Sequence, residues 1–113
     1  MQIIREKFTM DELKQMAAGT FGDMVKAVVD VDRELVAVDA ELHSDLEALL
    51  LENGSRQKNI WGINLYPDMT GEEFIEFDSL INIRPSQDNR SRGVENEELR
   101  KKIAAVVAKR INI

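Results

Sequence analysis

The sequence predicts an α+β fold, a two-layer sandwich in which a four-stranded antiparallel sheet carries its helices mainly on one face. Two capping boxes indicate helix starts, and two runs of alternating β-branched residues indicate a hairpin. The predicted order is α-β-β-α-β-β-α, with antiparallel pairing because the links between successive strands are short. No repeat or linker divides the chain, so we expect residues 1–113 to form a single α+β domain.

The first helix is predicted from the residues around its start. Thr9 is a favourable N-cap, and Glu12 three residues later completes a capping box. Phe8 precedes the cap at the spacing that lets it pack on Leu13. Gly19 is expected to end the helix, because glycine is common just past a helix C-terminus.

A β-hairpin is predicted next, with its two strands separated by Asp32-Arg33. In the first run, one face is formed by Val25, Ala27, Val29 and Val31, and these residues alternate with Lys26, Val28 and Asp30. The second run starts at Leu35 and places alternate residues on opposite faces as far as His43. Both runs are rich in β-branched residues, which favour strands.

A second helix is predicted after the hairpin. Ser44 and Glu47 have the spacing of a capping box, and leucines follow at helical spacing before Asn53-Gly54 ends the helix. A strand over 48–52 is the alternative, because periodicity does not distinguish the two for so short an apolar run. We favour the helix.

Two strands are predicted in the second half of the chain. The first is Ile60–Tyr66, which Pro67 ends because proline lacks the N–H that a strand donates. The second, Phe74–Arg84, is the longest predicted strand. Its apolar face is expected to comprise Ile75, Phe77, Ile81 and Ile83, and its polar face Glu76, Asp78, Asn82 and Arg84.

The last predicted helix starts near Asn96 and follows a polar loop. Its apolar stripe comprises Leu99, Ile103, Val106 and Val107. Glu97–Lys101 and Glu98–Lys102 have the i,i+4 spacing and the orientation that favour ion pairs on a helix.

Composition narrows the classes of function. The chain has no cysteine, which excludes disulfides, thiolate metal sites and a cysteine nucleophile. A formal net charge of −6 opposes binding to a nucleic-acid backbone, because that binding depends on lysine and arginine. The sequence shows neither a signal peptide nor an apolar run long enough to span a membrane. We therefore expect a cytoplasmic protein that does not enter a membrane.

Several short motifs together resemble one protein family. They are Leu42-His43-Ser44-Asp45, Leu49–Glu52 with Gly54-Ser55, Trp61-Gly62-Ile63-Asn64, Tyr66-Pro67, Glu76-Phe77-Asp78-Ser79 and Ile81-Asn82-Ile83-Arg84-Pro85-Ser86. The chain resembles, over nearly its whole length, an uncharacterised family of small prokaryotic proteins classed as a domain of unknown function. The resemblance implies no activity, substrate or catalytic residue.

An arginine-rich loop is the strongest candidate for a binding site. The loop, Arg84–Gly93, precedes a predicted helix N-terminus, where backbone N–H groups favour anions. Guanidinium, hydroxyl and amide groups could together hold a phosphate or carboxylate. The candidate ligand-binding residues are Asn82, Arg84, Ser86, Asn89, Arg90, Ser91 and Arg92. The alternative is that acidic side chains, or a second subunit, pair with these arginines.

Two weaker candidates involve carboxylates. Asp39, Glu41 and His43 share one face if the second hairpin strand extends that far, and these residue types suit a divalent metal. The polar face of the last two strands includes Glu76 and Asp78, which could serve in acid–base chemistry if one were desolvated. However, a sheet with one solvated face shows the same alternation without any such role.

The sequence leaves the function unknown and does not decide whether the protein is an enzyme. Our first hypothesis is a binding module that captures a small anionic ligand with the Arg84–Gly93 loop. The alternatives are a metal-assisted hydrolase that uses Asp39, Glu41 and His43, and an interaction protein that forms a homodimer.

Overall fold

The computed structural model describes residues 1–112, and Ile113 lies outside the described residues. The strands are β1 (Gln2–Ile4), β2 (Phe8–Thr9), β3 (Val25–Asp30), β4 (Leu35–Val38), β5 (Ile60–Leu65), β6 (Ile75–Glu76) and β7 (Ile111–Asn112). The helices are α1 (Met10–Ala18), α2 (His43–Glu52) and α3 (Glu97–Arg110). None of these helices is long and apolar enough to cross a membrane.

The main sheet has five strands in the order β1-β4-β3-β5-β6, and every neighbouring pair is antiparallel. A separate pair, β2 and β7, is parallel and joins the two ends of the chain. The mixed fold with an antiparallel main sheet is therefore confirmed. The predicted count of four strands is wrong, because β1 adds to the edge of the hairpin at β4.

Helices cover both faces of the main sheet. Side chains of α1 and α3 pack in one apolar cluster with Ala27, Val29 and Ile63. Those of α2 pack in a second cluster with Val28 and Ala37, which face the opposite way. The prediction of two layers is therefore wrong, although two of the three helices, α1 and α3, do share one face. The physical reason is that all four residues of β4 are buried, so both of its faces need cover.

The first helix and the hairpin follow the prediction closely. The N–H of Glu12 donates to Oγ1 of Thr9 at 3.1 Å, the reciprocal bond of the capping box is also present, and Gly19 is the C-cap. The second hairpin strand ends at Val38, however, and does not extend to Leu42 or His43 as predicted. Asp39 has φ 73°, a left-handed conformation that interrupts an extended strand.

The other two helices are confirmed, although their predicted polar contacts differ. α2 begins at His43 with Leu42 as its N-cap, and no side chain caps it, so the capping box at Ser44 is wrong. The N-cap of α3 is Asn96, as predicted. On α3, the predicted pairs Glu97–Lys101 and Glu98–Lys102 are absent from the ion pairs of the described residues. The ammonium of Lys101 instead lies 3.4 Å from the carboxylate of Glu98.

The long strand predicted over 74–84 is wrong. Only Ile75–Glu76 pairs as β6, and 3₁₀ turns follow at Leu80–Asn82 and Pro85–Gln87. Burial is the reverse of the prediction, since Asn82 is 0% exposed and Ile83 is 43% exposed. The hydroxyl of Ser79 accepts the N–H of Ile81 at 3.3 Å and caps the first turn, which ends the extended conformation.

Candidate functional site

The segment after β6 closes the edge of β5 with side chains instead of a strand. Oδ1 of Asn82 accepts the N–H of Gly62 at 2.8 Å, and Nδ2 of Asn82 donates to the carbonyl of Gly62 at 2.9 Å. Nη2 of Arg84 donates to the carbonyl of Ile60 at 2.6 Å. A Cβ on Gly62 would lie 2.5 Å from Cβ of Ser79, so only glycine admits this approach. Asn82 and Arg84 thus take the place of a missing strand.

Arg84 is buried and lies among protein groups. Its side chain is 8% exposed, its guanidinium carbon lies 4.6 Å from the centre of the Trp61 ring, and Nη2 lies 3.7 Å from Oε2 of Glu47. Nε and Nη1 have no hydrogen-bond partner among residues 1–112. Burial lowers the pKa of Arg84. Arg84 therefore links α2 to the sheet edge and does not present its charge to solvent.

Asn89 holds the loop in one conformation. Its Nδ2 donates to the carbonyls of Asn82, Ser91 and Gly93 at 2.7, 3.2 and 2.8 Å, and its Oδ1 accepts the N–H of Glu95 at 2.9 Å. Asn89 is buried, its bond to the carbonyl of Asn82 is buried, and the other three bonds are partly buried. The loop is consequently fixed by side-chain to backbone bonds at its centre.

The remaining polar residues of the loop are exposed, and its arginines already have acidic neighbours. Nε of Arg92 donates to Oδ1 of Asp78 at 2.7 Å. Nη1 of Arg90 lies 3.9 Å from Oδ1 of Asp88, a loose contact at the surface. Ser86 is exposed. The alternative in which acidic side chains pair with the arginines thus accounts for Arg92 and partly for Arg90.

The backbone N–H groups of the loop bind a carboxylate from the same chain. Oε2 of Glu95 accepts the N–H groups of Arg90 and Ser91 at 2.5 and 2.9 Å. These two donors lower the pKa of the Glu95 carboxyl. The N–H groups that could have held a ligand anion are therefore occupied by Glu95.

A groove of about 640 Å³ lies beside the loop, and we call it the loop groove. It is bounded by the loop, the N-terminal half of α3 and the residues around the start of β5. Its lining residues are Val31, Lys58, Asn59, Trp61, Gln87, Asp88, Asn89, Glu95, Asn96, Glu98, Leu99 and Lys102. Of the predicted ligand-binding residues, Asn89 thus lines this groove, together with Gln87 and Asp88, the two residues before it.

Charges in the loop groove differ in whether they have partners. Glu95 accepts two backbone N–H groups, Glu98 pairs with Lys101, and Asp88 lies near Arg90. Lys58 and Lys102 have no acidic oxygen within 4.0 Å among the described residues. The two lysines of the groove therefore have no acidic partner, whereas each of its three carboxylates has a partner in the protein, although the Asp88–Arg90 and Glu98–Lys101 pairs are exposed to solvent.

The structure does not bring the three candidate metal ligands together. Asp39 lies beyond the end of β4, with Oδ2 at 3.7 Å from the N-terminal amine, and Glu41 is exposed. His43 is 8% exposed, and its Nε2 lies 2.8 Å from the carbonyl of Ile63. Among residues 1–112, no three histidine, cysteine, aspartate or glutamate side chains are grouped so that they could hold a metal ion.

The polar face beside β6 is a hydrogen-bonded network. Nδ2 of Asn64 and the hydroxyl of Tyr66 donate to the same oxygen of Glu76 at 2.8 and 3.0 Å. Asp78 accepts from Arg92. Both carboxylates of the acid–base candidate therefore have protein partners.

A family model described as "Protein of unknown function (DUF5674)" matches residues 2–110. The chain belongs to this family. The resemblance seen in the sequence is thereby confirmed as one to a family of unknown function. Comparisons with curated proteins and with solved structures gave no match.

Lys58 and Lys102 of this DUF5674 chain are the site residues that the sequence did not predict. The i,i+4 spacing predicts an ion pair between Lys102 and Glu98, and Lys58 lies in a 3₁₀ turn before β5 that no motif marks. No signal in the sequence separates these two lysines from the others, because Lys58 is 26 positions before Arg84 and Lys101 is closer to the loop than Lys102.

Proposed function

We propose that the protein binds a small anionic ligand, a carboxylate or a phosphate, in the loop groove through Lys58 and Lys102. This proposal keeps the class of function inferred from the sequence and moves the charged contacts from the loop arginines to two lysines. The loop contributes the wall of the groove through Gln87, Asp88 and Asn89.

One observation carries the proposal: both lysines line the groove and neither has an acidic partner among the described residues. A lysine ammonium has three N–H donors, which suit carboxylate and phosphate oxygens. An anion between the two lysines would gain charge-assisted hydrogen bonds, which are stronger than those between neutral groups.

The rest of the molecule supports a small ligand rather than a polyanion. The net charge of −6 repels large anions such as nucleic acid, whereas a small ligand experiences mainly the charges that line the groove, where Lys58 and Lys102 lie beside the carboxylates of Asp88, Glu95 and Glu98. The loop wall is rigid because the bonds of Asn89 hold it, so little conformational entropy is lost on binding.

An NMR titration with inorganic phosphate and with acetate tests the proposal. Trp61 is the only tryptophan, so its indole N–H gives one signal from the groove. We expect that signal to shift on titration, and we expect Lys58→Gln and Lys102→Gln each to weaken binding about tenfold. Binding should also weaken as salt is added.

Lys14→Gln is the matched control, because Lys14 is an exposed lysine of α1 that is not among the lining residues of the loop groove and forms no ion pair among the described residues. It removes the same charge and should leave the affinity nearly unchanged. Equal losses in the two variants would show that only net charge matters. If Arg90→Ala or Arg92→Ala instead abolished binding, the site would belong to the loop arginines.

A further inference from the structure

The strand β6 is the last strand of the main sheet, and its outer edge is open. The N–H of Tyr66 donates to the carbonyl of Phe74 at 2.9 Å, so the backbone of Phe74 faces β5. Because backbone groups alternate between the two sides of a strand, those of Glu76 also face β5, and those of Ile75 and Phe77 face outward. No loop, turn or side-chain hydrogen bond of residues 1–112 takes up these outward groups.

The chain itself covers the edge just beyond β6. The N–H of Ser79 donates to the carbonyl of Arg92 at 2.9 Å, and a Cβ on Gly93 would lie 3.4 Å from the carbonyl oxygen of Phe77. Val94 is buried, so the chain then leaves the edge for the core. The arginine-rich loop therefore lies where an added strand would lie, and it stops short of the first residue of β6.

A groove of about 700 Å³ lies beside this open edge, and we call it the edge groove. Ile75 and Phe77 line it from the strand side, and Ala104 lines it from α3. The other lining residues are Gly71, Glu72, Glu97, Arg100 and Lys101. A strand added here would bond to β6 through its backbone and would pack alternate side chains against the apolar lining.

The carboxylates of the edge groove lack partners, whereas its cations have them. Glu72 and Glu97 form no ion pair among the described residues. Lys101 lies 3.4 Å from Glu98 in an exposed pair, and Nη1 of Arg100 donates to two backbone carbonyls. The lining is balanced in number of charges, and both groups without a protein partner are acidic.

Glu76 adds a carboxylate on the other face of the edge. Its side chain is exposed and lies on the opposite side of β6 from Ile75 and Phe77. Its Oε1 accepts from Asn64 and Tyr66, which are both neutral donors. A residue opposite Glu76 in an added strand would have its side chain on the same face, within reach of this carboxylate. Together with the net charge of −6, this favours a basic residue at that position.

We propose that the edge groove binds an extended peptide segment of a partner protein, as an antiparallel strand added to β6 with the pattern apolar–basic–apolar. The two apolar side chains contact Ile75, Phe77 and Ala104, and the basic side chain between them pairs with Glu76. The antiparallel direction is that of every neighbouring pair in the main sheet. The inference does not depend on anion binding, because the edge groove and the loop groove share no lining residue.

The probe is the peptide acetyl-Thr-Val-Lys-Val-Thr-amide, titrated into the isotope-labelled protein and followed by NMR. We expect the amide signals of Ile75 and Phe77 to shift. Methylation of both valine nitrogens should weaken binding about tenfold, because those N–H groups bond to β6 in the antiparallel pair. Methylation of the lysine nitrogen is the matched control, since that N–H points away from β6.

Ala104→Met tests the groove from the helix side. Ala104 is partly buried, and methionine is a good helix former with a side chain long enough to fill the edge groove. We expect this variant to bind the probe about tenfold more weakly. Ala108→Met is the control, since Ala108 is exposed on α3 and is not among the lining residues of the edge groove. Circular dichroism of both variants checks that α3 is intact.

Glu76→Gln tests the basic position. Glutamine keeps an oxygen acceptor for Asn64 and Tyr66 and removes the charge. We expect about threefold weaker binding of the probe, and no further loss when the lysine of the probe is replaced by glutamine. Glu73→Gln is the control, because Glu73 is exposed and does not line the edge groove.

Each outcome decides the inference. Shifts of Ile75 and Phe77 that are lost on valine methylation and in Ala104→Met support it. Absence of shifts at millimolar probe, equal binding of the two methylated probes, or equal behaviour of Ala104→Met and Ala108→Met would overturn it, and β6 would then be an edge too short to pair. If the same two signals shift when the protein alone is concentrated, the edge pairs with a second copy of this chain and the assigned partner is wrong.

Discussion

Asn82 is completely buried, and its carboxamide bonds to three backbone groups, two of Gly62 and the carbonyl of Arg92. A neighbouring strand would normally pair with the N–H and the carbonyl of Gly62. Here one side chain does so, and the same side chain holds the returning loop. The loop that bounds the candidate site therefore depends on a residue that does not face the ligand.

We expect Asn82→Ala to lower the free energy of unfolding by about 3 kcal/mol, because it leaves buried backbone groups without partners. Urea denaturation measures this loss. Asn53→Ala is the control, since the Asn53 carboxamide is exposed and donates to the carbonyl of Leu49. That variant should lose less than about 1 kcal/mol. Equal losses would show that the buried bonds of Asn82 stabilise the fold no more than the exposed bond of Asn53 does.

At the scale of elements, α2 is attached to the sheet by a polar contact at its first residue. His43 is buried there, beside the carbonyl of Ile63. Burial lowers the pKa of His43 below its ordinary value of 6.5, because the charged ring would lose its hydration. The folded protein therefore prefers the neutral ring, whereas the unfolded chain takes up a proton near pH 6.5.

The sign of the pH effect follows from this difference. Above pH 6.5 both states are neutral, and below it the unfolded state binds the proton first, so stability falls as the pH falls. We expect a slope of up to about 1.4 kcal/mol per pH unit between pH 6.5 and the lower pKa of the folded state. Denaturation curves of wild type and His43→Gln between pH 7.5 and pH 5 measure it.

His43→Gln is informative because His43 is the only histidine in the chain, and glutamine keeps an N–H donor. The variant should show a flatter pH dependence over that range. If stability depends on pH in the same way in both proteins, burial of a neutral His43 is not the cause of the pH dependence.

At the scale of the whole molecule, the two ends of the chain meet in the parallel pair β2–β7. Ile111 in β7 is fully buried and belongs to the same apolar cluster as residues of α1 and α3. Phe8 lies opposite Ile111 in the pair. The chain therefore closes its larger core with residues from both ends.

We expect Ile111→Ala to lower the free energy of unfolding by about 3 kcal/mol, through lost burial and the cavity that remains. Ile83→Ala, at a side chain that is 43% exposed, should cost less than about 1 kcal/mol. Thermal or urea denaturation of the two variants measures the difference. Similar values would show that the pairing of the two ends adds little to the core.

The sequence by itself determined the elements whose signals are local. The capping box at Thr9, the hairpin around Asp32-Arg33 and the apolar stripe of α3 each depend on residues a few positions apart. Spacing along the chain is sufficient for such features, because the bonds and contacts that create them are themselves local. The arginine-rich loop is likewise a local pattern, and its role as a binding site stays a prediction.

Only the tertiary structure decided what depends on distant partners. It showed that α2 covers the second face of the sheet, that 74–84 turns away from a strand, and that Arg84 is buried against Trp61. It also placed Lys58 and Lys102 on one groove, although 44 positions separate their numbers in the sequence. An alternating pattern predicts which face of a strand each side chain lies on, but it does not predict which distant residues contact that face. Those long-range contacts decide whether the segment forms a strand and which side chains are buried.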